Sequence, residues 1–345
     1  MARVGILTGG GDCPGLNAVI RAVVRRSEHA PGWNCVGFRR GWAGVLEADS
    51  FELTRGSTVG ILGRGGTILG TSRTNPFAGG TDRSEQIRAV LAKEGVDALI
   101  AIGGEDTLGV ASRLAEVGIP VVGVPKTIDN DLGGTEVTFG FHTAVQIATD
   151  AIDRLRTTAE SHDRVIVVEV MGRHAGWIAV YAGIAAGADV ILVPEQPYDT
   201  DEVCELLRAR HANGTTYSIV VISEGARAKD AVSETTASSQ TDAFGHARMG
   251  GVAVALSAEI EDRTGYESRY TILGHVQRGG TPTAFDRVLA TRFGVAAMQA
   301  VEARRFGEMV ALQAGEIVLV PLADALREPK VLDPALFELA SIFFG

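Results

Sequence analysis

The chain reads as an α/β protein in two lobes, each a mostly parallel sheet flanked by helices. Three observations carry that reading. Short apolar runs recur at 4–8, 98–102, 121–124, 165–170, 190–193, 219–222 and 317–320. Stretches of helical periodicity alternate with them, and strands alternating with helices imply parallel sheets covered on both faces. With 345 residues there is room for two such lobes.

The first run, 4–8, leads into Gly9, Gly10, Gly11 and Asp12, then a helix over 18–26 in which Val19, Val23 and Val24 alternate with Arg21, Arg25 and Arg26. Bare backbone at such a point can approach a phosphate at a helix N-terminus. A tight strand-to-helix turn accounts for the glycines equally well, and the segment matches neither Walker A nor the dinucleotide fingerprint. Residues 60–70 are glycine-dense without apolar periodicity and run into Arg73, either a solvated charge or a phosphate ligand. An amphipathic helix is predicted over 82–94, with Ile87, Val90 and Leu91 on one face. The strand at 98–102 ends in Gly103, Gly104, Glu105 and Asp106 and opens a helix carrying Val110, Leu114 and Val117. Two acids there suit the helix dipole as caps. They also suit Mg²⁺, which takes one or two carboxylates plus substrate phosphate oxygens.

The run at 121–124 is the centre of the reading. Pro125 has no N–H to donate and is expected to stop the ladder. Beyond it stand Lys126, Thr127, Asp129 and Asp131, at the strand end where open α/β sheets keep their ligands. A cation, a hydroxyl and two alternate carboxylates can hold a phosphate, take a proton and help hold a metal. An Asx-rich turn closing a strand would use the same residues. A helix is predicted over 143–156. The strands at 165–170 and 219–222 then deliver Met171, Gly172 and Arg173, and Glu224, at their ends. A strand over 271–275 runs into Arg278, and the run at 317–320 precedes Pro321. Residues 227–249, rich in Ala, Ser, Thr and Asp, read as a long surface loop.

A formal net charge of −10 argues against nucleic acid or an anionic membrane as the main partner. Cys13, Cys35 and Cys204 lack paired spacing, which speaks against a disulfide framework or a thiolate zinc site, and none of the seven His has a zinc-ligand partner. The opening MARVGILTGG is a strand rather than a signal sequence, and no run of about 18 apolar residues spans a bilayer, so a cytoplasmic protein is expected.

Arg73, Arg164, Arg173, Arg269 and Arg278 gather near strand ends with Lys126 and His275, a concentration of cations hard to assign to solvated faces in an acidic protein. Guanidinium groups bind phosphate oxygens through paired N–H bonds. Glu105, Asp129, Asp131 and Glu224 lie among them. Two phosphorylated ligands, one metal and one general base satisfy both sets. That is phosphoryl transfer to a hydroxyl, where catalysis is mostly positioning and charge neutralisation. Asp129 would take the hydroxyl proton, with nearby arginines keeping it ionised.

The motifs GGGDCPGLN at 9–17, GGED at 103–106, PKTIDND at 125–131, MGRHAG at 171–176, SEG at 223–225 and LGHVQRGG at 273–280 resemble the 6-phosphofructokinase family in type and order. The resemblance implies an active site in the cleft between a donor lobe (1–140 plus about 277–325) and a sugar-phosphate lobe (141–276 plus the C-terminal segment). It implies Asp129, flanked by Thr127 and Asp131, as acceptor of the proton from the 1-hydroxyl of fructose 6-phosphate. Met171, Gly172, Arg173, Glu224, His275 and Arg278 would line the sugar phosphate, and Arg164 and Arg269 would reach it from a neighbouring subunit, so a homodimer or homotetramer is implied. Gly10 and Arg73 would hold the phosphoryl donor. Glu105 would stand where the family's Mg²⁺-binding Asp does, a departure from the commoner GGD.

Members using ATP typically have glycine where this chain has Asp106 and Lys126. A carboxylate at 106 would crowd and repel the nucleotide's inner phosphate, while Lys126 adds a charge suited to a short diphosphate. The pair resembles the pyrophosphate-dependent branch, in which the reaction is expected to run both ways. Arg21, Arg25 and Arg156 match part of the family's nucleotide effector site, but Thr215, Thr216 and Tyr217 stand where lysines are expected, which implies weak or absent allosteric control. The rivals are an ATP-dependent enzyme of the same family, a lipid or NAD kinase and a non-catalytic sugar-phosphate sensor. A nicotinamide oxidoreductase is disfavoured because no G-x-G-x-x-G follows the first strand.

Overall fold

A computed structural model of the chain describes residues 2–29, 32–230, 236–241 and 247–345. The strands are β1 (Ala2–Thr8), β2 (Trp33–Phe38), β3 (Ser50–Leu53), β4 (Ala98–Gly103), β5 (Val121–Thr127), β6 (Phe139–Gly140) and β7 (Val165–Val170). They continue as β8 (Val190–Leu192), β9 (Ser218–Ser223), β10 (Thr236–Thr241), β11 (Ala247–Met249), β12 (Ser268–Ile272), β13 (Glu308–Gln313) and β14 (Glu316–Pro321). The helices are α1 (Leu16–His29), α2 (Trp42–Glu47), α3 (Ser84–Lys93), α4 (Glu105–Glu116), α5 (Phe141–Ser161) and α6 (Trp177–Ala186). Then come α7 (Thr200–Ala212), α8 (Val252–Thr264), α9 (Ala284–Glu302), α10 (Leu322–Ala325) and α11 (Pro334–Ser341).

The first sheet runs β14-β13-β5-β4-β1-β2-β3, with β6 beside β5. It is parallel except where β3 and β14 turn back against β2 and β13. The second runs β12-β7-β9-β8 and is parallel throughout. Side chains of successive strand residues point to opposite faces. Val165 and Val167 of β7 therefore pack with Val203, Leu207, Leu256 and Ile260 of α7 and α8. Ile166, Val168 and Val170 belong to the opposite face, where apolar residues of α1, α5, α6 and α9 join both sheets in one continuous core. Leu7, Leu99, Ala101 and Val121 pack under α2, α3 and α4 on the remaining face.

The structure departs from the sequence expectations in three places. β5 does not stop at Pro125: its pairing with β4 ends at Gly103 opposite Pro125, and Lys126 and Thr127 pair with β6 instead. The missing N–H thus marks a change of ladder partner rather than a strand end. The strand expected over 271–275 is Ser268–Ile272, followed by a 3-10 turn over Gly274–Arg278. Within 227–249, β10 and β11 pair as an antiparallel ribbon, and 231–235 and 242–246 lie outside the described residues. Among the described residues no helix is long and apolar enough to cross a membrane.

One contact ties a helix of each lobe together, and a second packs two helices of one lobe tightly. Asp286, buried in the first turn of α9, accepts the N–H of Thr143 at 2.7 Å and so ties α9 to α5. Helix α9 lies against α1 so closely that a Cβ at Gly294 would stand 2.6 Å from Val19 O and 2.7 Å from Ala22 Cβ. Gly294→Val is therefore expected to overpack this contact and lower stability by about 1–3 kcal/mol. Urea unfolding checks it, and an unchanged midpoint would contradict the packing.

Candidate active site

The C-terminal ends of β1, β4 and β5 converge on the glycine loop. Gly9 N–H donates to Ile102 O at 2.9 Å, and Gly10 sits at φ 76 in the left-handed region that favours glycine. Thr71 Oγ1 donates to Gly10 O at 2.5 Å and Gly10 N–H to Ser72 O at 3.4 Å, which brings Arg73 beside the loop. A cavity of about 430 Å³ opens there, lined by Gly10, Gly11, Asp12, Arg73, His275 and Arg278 among others. A Cβ at Gly11 would lie 2.6 Å from Arg278 Nη1, so bare backbone at 11 is what lets this guanidinium reach the loop. Lys126 is buried beneath, and its Nζ donates to Gly11 O at 2.5 Å. Burial lowers its pKa, and the nearby Arg278 acts the same way, against the attraction of Cys13, Asp12 and Asp129.

Asp129 follows on the same loop. Its N–H donates to Thr127 Oγ1 at 3.1 Å, while its Oδ1 is sealed from solvent and finds no hydrogen-bond partner among the described residues. Burial raises its pKa to about 6, with the charge of Asp131 adding to the rise; Arg278, Arg173 and Lys126 hold it down. Asp131 is also raised, first by burial, with Glu105 contributing. Glu224, across the site, is pushed to about 7 by burial and then by Asp129. Three carboxyls and three cations thus feel one another around one space, the electrostatic signature of a functional site.

The 171–173 turn is built by close backbone packing. Ser223 Oγ donates to Gly172 O at 2.7 Å and Gly225 N–H donates to the same oxygen at 3.2 Å. Met171 N–H donates to the buried Gln277 Oε1 at 3.3 Å, which fastens this turn to the 3-10 turn bearing His275 and Arg278.

The sequence-predicted residues Gly10, Lys126, Thr127, Asp129, Asp131, Met171, Gly172, Arg173, Glu224 and Arg278 are thus brought together, with Arg73 and His275 on the cavity wall. Glu105 and Asp106 stand at the first turn of α4 and line a second cavity of about 310 Å³, where Arg113 lies 3.8 Å over the Phe77 ring. Arg164 and Arg269 are not in the site of their own chain. They meet at Glu267, Arg164 at 2.7 Å, near the N-terminal ends of β7 and β12, opposite to the end carrying Met171. Asp12, Gln277 and Lys330 were not singled out from the sequence. Lys330 in particular carried no signal, because it lies some 200 positions from its partner Asn130.

The carboxylates offer hard oxygen donors of the kind Mg²⁺ takes. Among the described residues there is no group of three or more His, Cys, Asp or Glu able to hold a metal by themselves. Mg²⁺ needs only one or two carboxylates when phosphate oxygens and water supply the rest, so Glu105 with Asp131 nearby fits.

The chain matches the description "Phosphofructokinase" over residues 3–301. It belongs to the phosphofructokinase family. It is 61% identical over 99% of its length to the pyrophosphate–fructose 6-phosphate 1-phosphotransferase of Amycolatopsis methanolica, covering 100% of that chain. It is also 53% identical over 96% of its length to ATP-dependent 6-phosphofructokinase 3 of Streptomyces coelicolor, covering 97% of that one. Among solved structures, the Pichia pastoris phosphofructokinase matches at 29% identity and a TM-score of 0.82, over 99% of this chain and 36% of that one. The pyrophosphate-dependent phosphofructokinase of Marinobacter aquaeolei shares the fold at 23% identity and a TM-score of 0.82, over 96% of this chain and 86% of its own.

The charge arrangement has a measurable consequence for this phosphofructokinase relative. Asp129 should titrate near 6; Asp131→Asn should lower that value and Arg278→Ala should raise it. Carboxyl NMR titration of the free protein checks both signs. Asp129 and Glu224 bind protons more tightly folded than unfolded, so their contribution to stability is lost as pH rises through about 6 to 7.

Proposed function

We propose that the protein transfers a phosphoryl group from pyrophosphate to the 1-hydroxyl of fructose 6-phosphate, giving fructose 1,6-bisphosphate and phosphate, reversibly and with Mg²⁺. The observation that carries the reading is Asp129, a carboxylate whose Oδ1 has no hydrogen-bond partner among the described residues and which feels the charge of Arg278 on the cavity wall. Such an oxygen is ready to accept a hydroxyl proton, and a pKa of about 6 keeps it ionised at neutral pH while close enough to exchange protons. Arg173, Arg278, Glu224, Met171, Gly172 and His275 bind and orient the sugar phosphate; Gly10, Arg73 and Lys126 bind the donor. Glu105 and Asp131 would hold Mg²⁺, which neutralises charge on the transferring phosphoryl oxygens.

Pyrophosphate is favoured over ATP by two side chains. Lys126 lies directly under the glycine loop, where its charge is close to a compact diphosphate. Asp106 lines the second cavity, so an ATP extending past Glu105 would meet a carboxylate. The relatives named for pyrophosphate stand at 58–61% identity. The ATP reading keeps its own support, a second cavity at the donor end and relatives named for ATP at 52–53% identity.

The active assembly is a homodimer or homotetramer in which Arg164 and Arg269 serve a neighbouring subunit's sugar phosphate. In support, both lie at the far end of the sheet from Met171, and Arg269 is on the edge strand β12, whose Tyr270 and Ile272 are 49% and 44% exposed. Nucleotide control is weak: Arg156 spends its guanidinium on Ala186 O and Gly187 O at the end of α6, and Arg25 pairs with Glu28.

Purified protein given fructose 6-phosphate and Mg²⁺ is expected to turn over with pyrophosphate and not with ATP. Replacing Asp106 and Lys126 together by Gly should weaken pyrophosphate use and admit ATP. Activity with ATP alone would overturn the donor assignment and leave the sugar site standing; silence with both would favour a sensor or another sugar.

A further inference from the structure

Residues 328–332, between α10 and α11, lie between the base-bearing loop after β5 and the start of α6 and are hydrogen-bonded to both. On the first side Lys330 N–H donates to Asp131 O at 2.8 Å. The Lys330 ammonium donates to Asn130 Oδ1 at 2.9 Å, Thr135 O at 3.1 Å and Glu136 O at 2.7 Å. On the other side Lys330 O accepts from Trp177 Nε1 at 3.2 Å, and the ammonium stands 5.3 Å from the Trp177 ring centre. Leu332 N–H donates to Glu195 Oε1 at 2.9 Å, and the same carboxylate accepts from Gly176 N–H at 3.0 Å, at the end of the 171–176 turn. Bare backbone at Gly133 makes room, since a Cβ there would stand 2.7 Å from Ala325 O and 3.1 Å from Glu328 O.

Asn130 is the residue between Asp129 and Asp131, and it is left-handed at φ 54. Asn tolerates that conformation better than other residues with a Cβ, and here its side chain is held as well. Its Oδ1 is gripped from two directions, by Lys330 and by Thr138 N–H at 3.1 Å. All three N–H groups of the ammonium are used on this one loop, a cage that replaces its hydration. Burial in the cage pulls the Lys330 pKa down to about 8 against the attraction of Asp131 and Glu136. A lysine held this way is matched to the loop's geometry, not merely resting on it.

We propose that Lys330 is a positioning residue for Asp129, and that 328–332 is a strap holding the base-bearing loop in register with the sugar-phosphate turn at 171–176. The proposal rests on the reading of Asp129 as the base. A strap that only stabilised the fold would leave turnover of the folded protein intact. One that sets the direction of the base must show in kcat, because a displacement of about 1 Å at a reacting group can cost a hundredfold.

The test compares the full chain with its Lys330→Met and Lys330→Arg variants in the pyrophosphate-driven reaction and in amide hydrogen exchange over 128–138. The Met variant should lose about ten- to a hundredfold in kcat. Its KM for fructose 6-phosphate should stay within about threefold, and exchange over 128–138 should quicken. The Arg variant, which keeps the charge, should recover part of kcat. Unchanged exchange in the Met variant overturns the strap. Quickened exchange with wild-type kcat, or a loss confined to KM, overturns the positioning role. Lys330→Gln takes the place of the Met variant, under the same criteria, if the latter does not fold. The base reading fails by a separate route, turnover persisting without the Asp129 carboxylate, and exchange over 128–138 then decides the strap alone.

Discussion

Keeping charge out of water at the end of β5 is the constraint on which the site depends. Lys126 is buried there and Asp129 Oδ1 is sealed three residues further on. Either charge alone would be costly in a low-dielectric interior. The cost is offset by the attraction of Asp129 to Lys126, Arg173 and Arg278, and by the Gly11 carbonyl on the Lys126 ammonium. That balance leaves Asp129 raised to about 6 rather than fully neutralised, so the group is ionised at neutral pH yet basic enough to take a proton.

The rest of the architecture serves to bring those charges to one point. Parallel strands deliver their C-terminal ends to one side, where Gly10, Lys126 and Arg173 belong to three separate strand ends of two sheets. Glycine is required where backbone must come close, at Gly294 between α1 and α9, and at Gly11 it leaves Arg278 room to close on the loop. The remaining alignment falls to side chains far apart in sequence, Asp286 on Thr143, Gln277 on Met171 and Lys330 on Asn130. These three join helices, loops and turns that the chain order leaves far apart.

How much of this was legible beforehand follows from where the information lies. The apolar runs marked the buried strands at 98–102, 121–124, 165–170 and 219–222 because parallel strands are covered on both faces. β2, β3 and β13 were not anticipated, whereas β14, at the edge of the same sheet, was. The site loops were legible as motifs because their glycines, arginines and acids are local in sequence. Pro125 misled because the expectation assumed one ladder for the whole strand, whereas β5 changes partner from β4 to β6 at that residue. Gln277 sat inside a recognised motif without an assigned role. Lys330 could not be read at all, since an isolated lysine before a helix looks like a solvated charge until the fold folds it back onto Asn130. Asp106 stands on the wall of the second cavity.

The most direct test of the account is turnover of the Asp129→Asn variant, with fructose 6-phosphate binding measured on the same preparation. Asn keeps the size and loses the basicity, so kcat should fall by about a hundredfold to ten-thousandfold while the sugar phosphate still binds. Near wild-type turnover would contradict the account, because the sealed oxygen at the end of β5 would then have no part in the proton transfer.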